Sequence, residues 1–517
     1  MNEPYLKIVD SRGQKIPLRV LYGGAYEGAA TGRRMSNWGM SSAGPNTALF
    51  SNIGTLRSRS RELIRNNPLV DGCVDSYAAN VIGSGINPRW QISDNPGQKK
   101  IIQQLWEDWV GEADYAEVCD FYGLQTLGVR ALIDAGEFFV RLIPRRPGEY
   151  NFVPLQLQLL EADHVDAGYN SIAENGNEIR MGIEIDALGK RTAYWVFKEH
   201  PGESLLYGAL GSTIRIRIPA DQMLHIFKPL RIGQMRGRPW LASIIVKLHD
   251  LDQYEDAELV RKKTAAMFGG FIYSEPGSGE FSASQMMGRQ VESDENNQEV
   301  IAPEPGTYVP LPPGKKVAFS QPVDVGITYE VWIKQQLREI AVGMGCTYEQ
   351  LTGDLRDVNY SSIRAGLLEF RRRVNQLQYQ TIIHQFCRPI AHAWMDAAVS
   401  SRALSVITDY AQNKRKYLRI KWRPDGWPWV DPLKDQIAEQ LAVRNGFKSR
   451  SRVVAERGED VETVDAEIAE DNSRADSLGL ILDSDPRETA SSGAAQKAVD
   501  QAAIDTVNPQ DTGKVKS

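Results

Sequence analysis

The 517-residue chain has few cysteines and no long apolar run. It has four cysteines, at Cys73, Cys119, Cys346 and Cys387. Their spacing fits neither a zinc site nor a disulfide framework, and it is typical of a reducing compartment. No segment approaches the about 18 consecutive apolar residues of a membrane helix, and residues 1–15 lack a signal peptide's apolar core. We therefore expect a soluble intracellular protein that contacts no membrane.

The chain also lacks the common motifs of catalysis. It contains no G-x-x-x-x-G-K-[ST] phosphate loop, because the segment at Gly314 has neither the earlier glycine nor the Ser or Thr. H-E-x-x-H and G-x-S-x-G are absent as well. We therefore expect no catalytic residues and no cofactor, and any hydrolysis that drives the protein's work must come from a partner.

Two residue groups invite a metal interpretation, and both are weak. His384, Cys387 and His392 have spacings of three and five on one predicted helix, which turns the third side chain away from the other two. Asp354 and Asp357 would serve a nuclease only if they converged on a metal ion, and acidic pairs are common on surfaces. The sequence predicts no metal site.

Positive charge is not in excess. With 60 Lys and Arg against 66 Asp and Glu, the net charge is −6, so any contact with nucleic acid must be local or weak. Apolar content of 42% is ordinary for a globular protein, and the length suits roughly three domains.

A polar segment at residues 348–362 separates two helical patterns. Apolar residues recur at three-and-four spacing before it, at Ile333, Leu337, Ile340 and Met344, and again after it, at Ile363, Leu367, Phe370 and Val374. Gly343 and Gly345 favour a helix stop, and Ser361 or Ser362 can cap the second helix. The segment therefore predicts a loop between two helices, on a surface or in a wet lumen.

The remaining patterns divide the chain. Residues 1–54 are glycine-rich and predict a mobile or partner-bound arm, with order beginning near Thr55. An α/β region follows, in which Asn67 caps a helix that begins at Pro68. A rod helix begins at Pro239, and after the loop a long helix runs from about Ser362 to Ala398 with a kink at Pro389.

The last part of the chain predicts short helices and a tail. Asp431, Ser449 and Asp460 can each open one of these helices. Beyond Asp483 the composition predicts disorder.

Several short segments, in order and with suitable gaps across residues 57–470, together resemble the lambda-type portal proteins of tailed bacteriophages. The segments are Arg65-Asn66-Asn67-Pro68, Pro239-Trp240-Leu241-Ala242, the run from Leu251 to Leu259, Leu311-Pro312-Pro313-Gly314, Arg338-Glu339-Ile340-Ala341, Tyr348-Glu349-Gln350-Leu351-Thr352, Asn359-Tyr360-Ser361-Ser362 and Trp429-Val430-Asp431-Pro432-Leu433-Lys434. No single segment is diagnostic, but the ordered set is.

The resemblance implies an α+β portal fold in a ring, usually of twelve subunits, at one capsid vertex. It assigns the regions as an arm (1–54), an α/β wing (55–238), a stem helix (239–268), a small β-containing clip (269–326), a second stem helix (327–345), a tunnel loop (346–361), a long wing helix and return (362–430), a helical crown (431–482) and a tail (483–517). Double-stranded DNA would enter and leave through the central channel without sequence preference.

The implied function also names partners. We expect a packaging terminase and later head–tail adaptor proteins at the clip, and the major capsid or scaffold protein around the ring. The protein would lie in the virion, and in the host cytoplasm during assembly. An alternative is a head–tail adaptor or scaffold ring without a channel.

A channel for DNA needs weak contacts, because a duplex carries one charge per about 1.7 Å and many strong contacts would stall it. Twelve copies would carry a net charge of roughly −72, which favours a repulsive wall with a few basic rings. The tunnel-loop candidates are Asp354, Arg356, Asn359, Tyr360, Ser361 and Arg364. The channel-wall candidates are Asp250, Glu255, Glu258, Lys334 and Arg338.

Overall fold

The computed structural model describes residues 41–203, 214–272, 328–427 and 432–480, apart from positions 93, 147, 149–151 and 357, together with Gly39, Leu482 and strand pieces at 292–293, 299–300 and 307–310. Helices alternate with small sheets, most of them antiparallel, which confirms the α+β class. No helix within these ranges is long and apolar enough to cross a bilayer.

The helices follow the predicted order with several shifted ends. They are α1 (Pro45–Phe50), α2 (Ile53–Asn66), α3 (Pro68–Ile82), α4 (Pro96–Val110), α5 (Phe121–Asp134), α6 (Ile245–Met267), α7 (Thr328–Met344), α8 (Tyr348–Thr352), α9 (Tyr360–Leu377), α10 (Arg388–Ser400), α11 (Tyr410–Tyr417), α12 (Pro432–Arg444), α13 (Arg450–Glu456) and α14 (Val461–Leu478). Asn67 caps α3 as predicted, since its side chain accepts hydrogen bonds from the amides of Leu69 and Val70.

Order begins earlier than the predicted Thr55. Both α1 and α2 start before that residue. The reason is apolar contact, because Leu49 and Ile53 pack with Met181 in a small cluster of their own.

The strands are β1 (Asn87–Trp90), β2 (Glu137–Pro144), β3 (Leu155–Glu161), β4 (Ser171–Ile172), β5 (Glu178–Arg180), β6 (Ile183–Ile185), β7 (Arg191–Phe197), β8 (Arg215–Pro219), β9 (Met223–Phe227), β10 (Phe268–Ile272), β11 (Glu292–Ser293), β12 (Glu299–Val300), β13 (Thr307–Pro310) and β14 (Ile420–Arg423). A three-stranded sheet has the order β3-β2-β9, and a five-stranded sheet runs from β4 to β8. Strand β9 was not predicted, and its pairing with β2 puts distant parts of the chain side by side.

The main core is aromatic. Trp106 lies against Trp90, Trp109, Phe121 and Trp394, with ring centroids 5.0–5.6 Å apart. These rings come from β1, α4, α5 and α10, so α10 is bound deep in the core.

The long helix after the polar segment changes type along its length. Between α9 and α10 the residues Gln378–Cys387 form a π-helix, in which the amide of Arg388 bonds to the carbonyl of Ile383. Pro389, which has no amide to donate, lies in the first turn of α10, directly after the π segment. The change of helix type before Pro389 was not predicted from the sequence.

A buried ionic cluster joins the three-stranded sheet to the chain that leads into α6. The carboxylate of Glu137, fully buried on β2, accepts from Arg57 of α2 and from Arg236, whose Nε lies 2.7 Å away. Arg236 also donates to the carbonyls of Val165 and Met181 at 3.1 and 2.7 Å. Burial alone would raise the pKa of Glu137, but the charges of Arg236 and Arg57 outweigh it and hold this pKa well below its usual value.

Two glycines beside this cluster allow the backbones to touch. A side chain at Gly237 would place its Cβ 2.1 Å from the carbonyl oxygen of Gly136. Gly136 itself has φ of +85°, and a side chain at this position would clash with the backbone of Arg238. The sheet and the entry to α6 are thus held at one fixed separation.

Candidate nucleic-acid interface

The first part of the candidate site is an antiparallel helix pair, α6 and α7. Near the wing end Lys247 forms an ion pair with Glu339. Farther along α6, the ring of Tyr254 lies 4.6 Å from that of Trp332. Late residues of α6 thus meet early residues of α7, so the chain goes out along one helix and returns along the other.

The start of the outgoing helix differs from the prediction. Residues Trp240–Ser243 form a 3₁₀ turn, and α6 begins at Ile245, not at Pro239. Ile244 between them has φ of −124° and ψ of −4°, outside helical values. Its side chain fills the space above Gly343 of α7, where a Cβ would lie 2.2 Å from Ile244 Cγ2. The break in the helix therefore accompanies a close crossing of the two helices.

The core-facing side of the pair agrees with the predicted apolar spacing. Leu248 and Leu251 of α6 are buried, as are Leu337 and Ile340 of α7. Because this side packs on the wing, only the other sides can face a solvent-filled channel.

The predicted acidic wall residues of α6 are not equivalent. Asp250 and Glu255 are exposed, whereas Glu258 is only 7% exposed. The Glu258 carboxylate lies 2.5 Å from Arg261 and 3.8 Å from Lys262, so the prediction of Glu258 as a wall residue does not fit its burial. Burial, followed by the nearby charge of Asp252, raises the pKa of Glu255.

The predicted basic residues of α7 also differ from one another. Lys334 forms an ion pair with Glu330 one turn earlier, at 3.0 Å. Arg338 is exposed, and its guanidinium carbon lies 5.7 Å from the ring centroid of Tyr348. The Arg338 charge is therefore the more available of the two.

The second part of the candidate site is the polar segment after α7, which is less irregular than predicted. Tyr348–Thr352 forms the short helix α8. Thr347 and Gln350 make a capping box, and Gly353 ends the helix in the left-handed region with φ of +69°. The capping signal T-x-x-Q was present in the sequence and would have found this helix. The irregular part that the structure describes is residues 353–356 and 358–359.

The charges in this irregular part neutralise each other. Arg356 donates to both oxygens of Asp354 from Nε and one terminal nitrogen, each at 2.9 Å. The hydrogen bonds from Arg356 hold the pKa of Asp354 well below its usual range. Arg356 is 77% exposed and Asp354 only 16%, so the pair presents a guanidinium whose charge is already balanced. Asp357 lies outside the described residues.

Asn359, and not Ser361 or Ser362, caps α9. Its side-chain oxygen accepts from the amide of Ser362 at 2.8 Å and from the Ser362 hydroxyl at 2.9 Å. The helix starts at Tyr360, and the side chains of Tyr360 and Ser361 lie outside the described residues.

Arg364, the last of the tunnel-loop candidates, is also engaged within the chain. It forms an ion pair with Asp435 of α12 at 3.0 Å. In the single chain this residue therefore ties α9 to the C-terminal helices.

One group that could hold a metal ion was missed by sequence reasoning, namely Glu161, Asp163 and His200. The guanidinium of Arg61 already pairs with this group, since it lies 2.8 Å from Glu161 and 2.6 Å from Asp163. Within the described ranges, His384, Cys387 and His392 are not brought together as ligands.

Comparisons with known proteins agree on one family. The family model for "Phage portal protein, lambda family" matches residues 31–378. The chain is 30% identical over 463 residues to a probable portal protein of Halomonas phage phiHAP-1, covering 87% of this chain and 86% of the relative. It is 21% identical over 492 residues to portal protein B of Escherichia phage lambda, covering 88% and 90%.

Among solved structures, the neck of a native GTA particle computed with C12 symmetry is similar with a TM-score of 0.45. That match has 17% identity and covers 83% of this chain and 99% of the other.

Proposed function

This chain belongs to the lambda family of phage portal proteins, with that family's role in DNA packaging, and we propose that about twelve copies form a ring at one capsid vertex. Double-stranded DNA passes through the ring during packaging and ejection. The family is structural, and the chain itself carries no catalytic residues in this proposal.

The observation that carries the proposal is the combination of the antiparallel pair α6 and α7 with the neutralised loop that follows it. The pair makes a stiff wall element that leaves and returns at the wing. The loop then displays Arg356 with its charge balanced by Asp354. A duplex meets a polar contact of little net charge, which limits counterion release and so limits affinity.

The channel wall in this proposal is weakly repulsive. Asp250 of α6 is exposed and acidic, and Arg338 of α7 supplies the positive ring. Repulsion keeps the duplex centred, and a single basic ring gives a sequence-blind contact.

The energy for movement comes from a partner, because the sequence has no phosphate loop. We assign this role to a terminase that docks on the clip at residues 269–326, where the described pieces form the parallel pair β10 and β13 and the antiparallel pair β11 and β12. Head–tail adaptor proteins take the same surface afterwards, and the major capsid or scaffold protein surrounds the ring. The protein is a component of the virion and assembles in the host cytoplasm.

Negative-stain microscopy of the purified chain tests the proposal. We expect rings with a central hole at least as wide as a DNA duplex. Rings with a closed centre would support the adaptor alternative instead. Particles that stay monomeric under all conditions that favour assembly would contradict both.

A further inference from the structure

A cationic cleft lies where the three-stranded sheet, the helix pair and α9 meet. Lys228 and Arg238 line one side, and Arg373 of α9 lines the other. The backbone of Gly343 and Gly345 at the end of α7 borders it, and its volume is about 360 Å³. It is recessed between three elements of the fold.

The cleft has no counter-ion of its own that could balance it. Within the described ranges no carboxylate lies at ion-pair distance from Lys228 or Arg238, and Arg373 has only Glu369 at 3.8 Å. Burial, and then the charge of Arg373, lower the pKa of Lys228. A groove that shares Arg238 adds two more exposed arginines, Arg59 and Arg231.

The same chain carries an acidic surface whose negative charges lack counter-ions within the chain's described part. Asp252 and Asp256 lie one turn apart on α6, and both are exposed. Each is two residues from Tyr254, which faces α7, so at 100° per residue both point away from the partner helix. No cation in the described part of the chain lies at ion-pair distance from either carboxylate.

We propose that the cleft receives Asp252 and Asp256 of a second copy of this chain. The inference rests on the ring proposed above and deepens it, since it names a contact between neighbouring subunits. One chain bears both surfaces, and they differ from each other, so the contact is head-to-tail and can close into a ring. Duplex DNA is a poor occupant, because its phosphates lie on a convex cylinder that does not enter a recess between three elements.

Two charge-reversed variants test the contact, Arg238→Glu in the cleft and Asp256→Arg on α6. Alone, each variant sets like charges against each other at every contact of the ring. We expect the protein concentration at which half of the chains are in rings to rise at least about tenfold. An equimolar mixture restores opposite charges if the two variants alternate around an even-numbered ring, and we expect it to assemble like the natural chain. Native mass spectrometry reads the number of subunits and the ratio of the two variants in each ring, which is one to one if they alternate.

The matched control is Arg415→Glu, an equal charge change at an exposed position of α11. It should leave the assembly midpoint unchanged. Thermal melts of the monomers show that each variant is folded, and Arg238→Gln serves as the milder cleft variant, with a smaller loss expected.

The proposal is overturned if the single variants assemble normally, or if the mixture does not recover. Normal rings of Arg238→Glu that retain less DNA would assign the cleft to nucleic acid instead. If the natural chain forms no rings at all, the proposed function fails first, and that outcome is separate from a failure confined to the variants.

Discussion

The buried cluster around Glu137 offers the sharpest test of what holds the wing to the stem. Replacing Glu137 by Gln keeps the shape of the side chain but removes its charge. Arg236, with no exposed surface, and Arg57, 2% exposed, would then face each other without this counter-ion. Breaking a buried ion pair in this way costs about 3–5 kcal/mol.

The assay is thermal or urea unfolding of the purified chain. For a cooperative unit of wing size, each kcal/mol lowers the melting temperature by about 2–4 °C, so the expected loss is about 6–20 °C. The matched control is Glu178→Gln, because Glu178 pairs with Arg180 and both are half exposed. Its expected effect on the melting temperature is small, because an exposed ion pair contributes little to stability.

A loss below about 1 kcal/mol for Glu137→Gln would refute the reasoning. It would mean that the two arginines are held well enough by backbone carbonyls, such as those of Val165 and Met181, without the carboxylate.

Three further predictions concern the helix crossing, the loop and pH. Gly343→Leu should drive α7 away from Ile244 and lower the melting temperature. The double variant Gly343→Leu with Ile244→Ala should recover part of this loss. A double variant that melts no higher than Gly343→Leu alone would argue against a local clash. Asn359→Ala should leave rings intact, destabilise the start of α9 by about 1 kcal/mol and lower the amount of packaged DNA. Asn359→Ser, which keeps a capping oxygen, should retain function. Loss of ring assembly in Asn359→Ala would show that the loop is structural. His225 is buried and its pKa falls to about 4, chiefly through burial. Between pH about 6.5 and 4 the unfolded chain therefore binds a proton that the folded chain does not. As the pH is lowered through this window, the free energy of unfolding should decrease by up to about 3 kcal/mol. In His225→Gln, urea titrations at several pH values should show a pH dependence of stability that is smaller by the share of His225, and an unchanged slope would contradict the assignment.

Local signals in the sequence predicted much of the fold correctly. The Asn67 cap, the apolar face of α7 and the order of helices follow from spacing and capping chemistry alone. The family could also be identified, because several ordinary segments occur in one order. The α8 helix was missed although its capping box at Thr347 is a local signal.

The features that sequence reasoning missed depend on contacts between distant residues. Strand β9 pairs with β2 across a long stretch of chain, and Glu137 contacts Arg57, 80 residues before it, and Arg236, 99 residues after it. Glu258 is a different case, because it lies seven residues after Leu251 and so continues the buried face of α6, although its charge alone suggests a surface residue. The bond between Asp354 and Arg356 depends on a turn geometry that composition leaves open.

The antiparallel course of α6 and α7 has an electrical consequence along the stem. Each helix carries about half a positive charge at its N-terminus and half a negative charge at its C-terminus. At the wing end the start of α6 lies beside the end of α7, and at the other end the order is reversed. The two macrodipoles therefore largely cancel, and the backbone imposes little axial field on a charged polymer inside the ring. Such a wall gives the polymer no preferred direction, so the direction of travel must be set by whatever acts at the two ends.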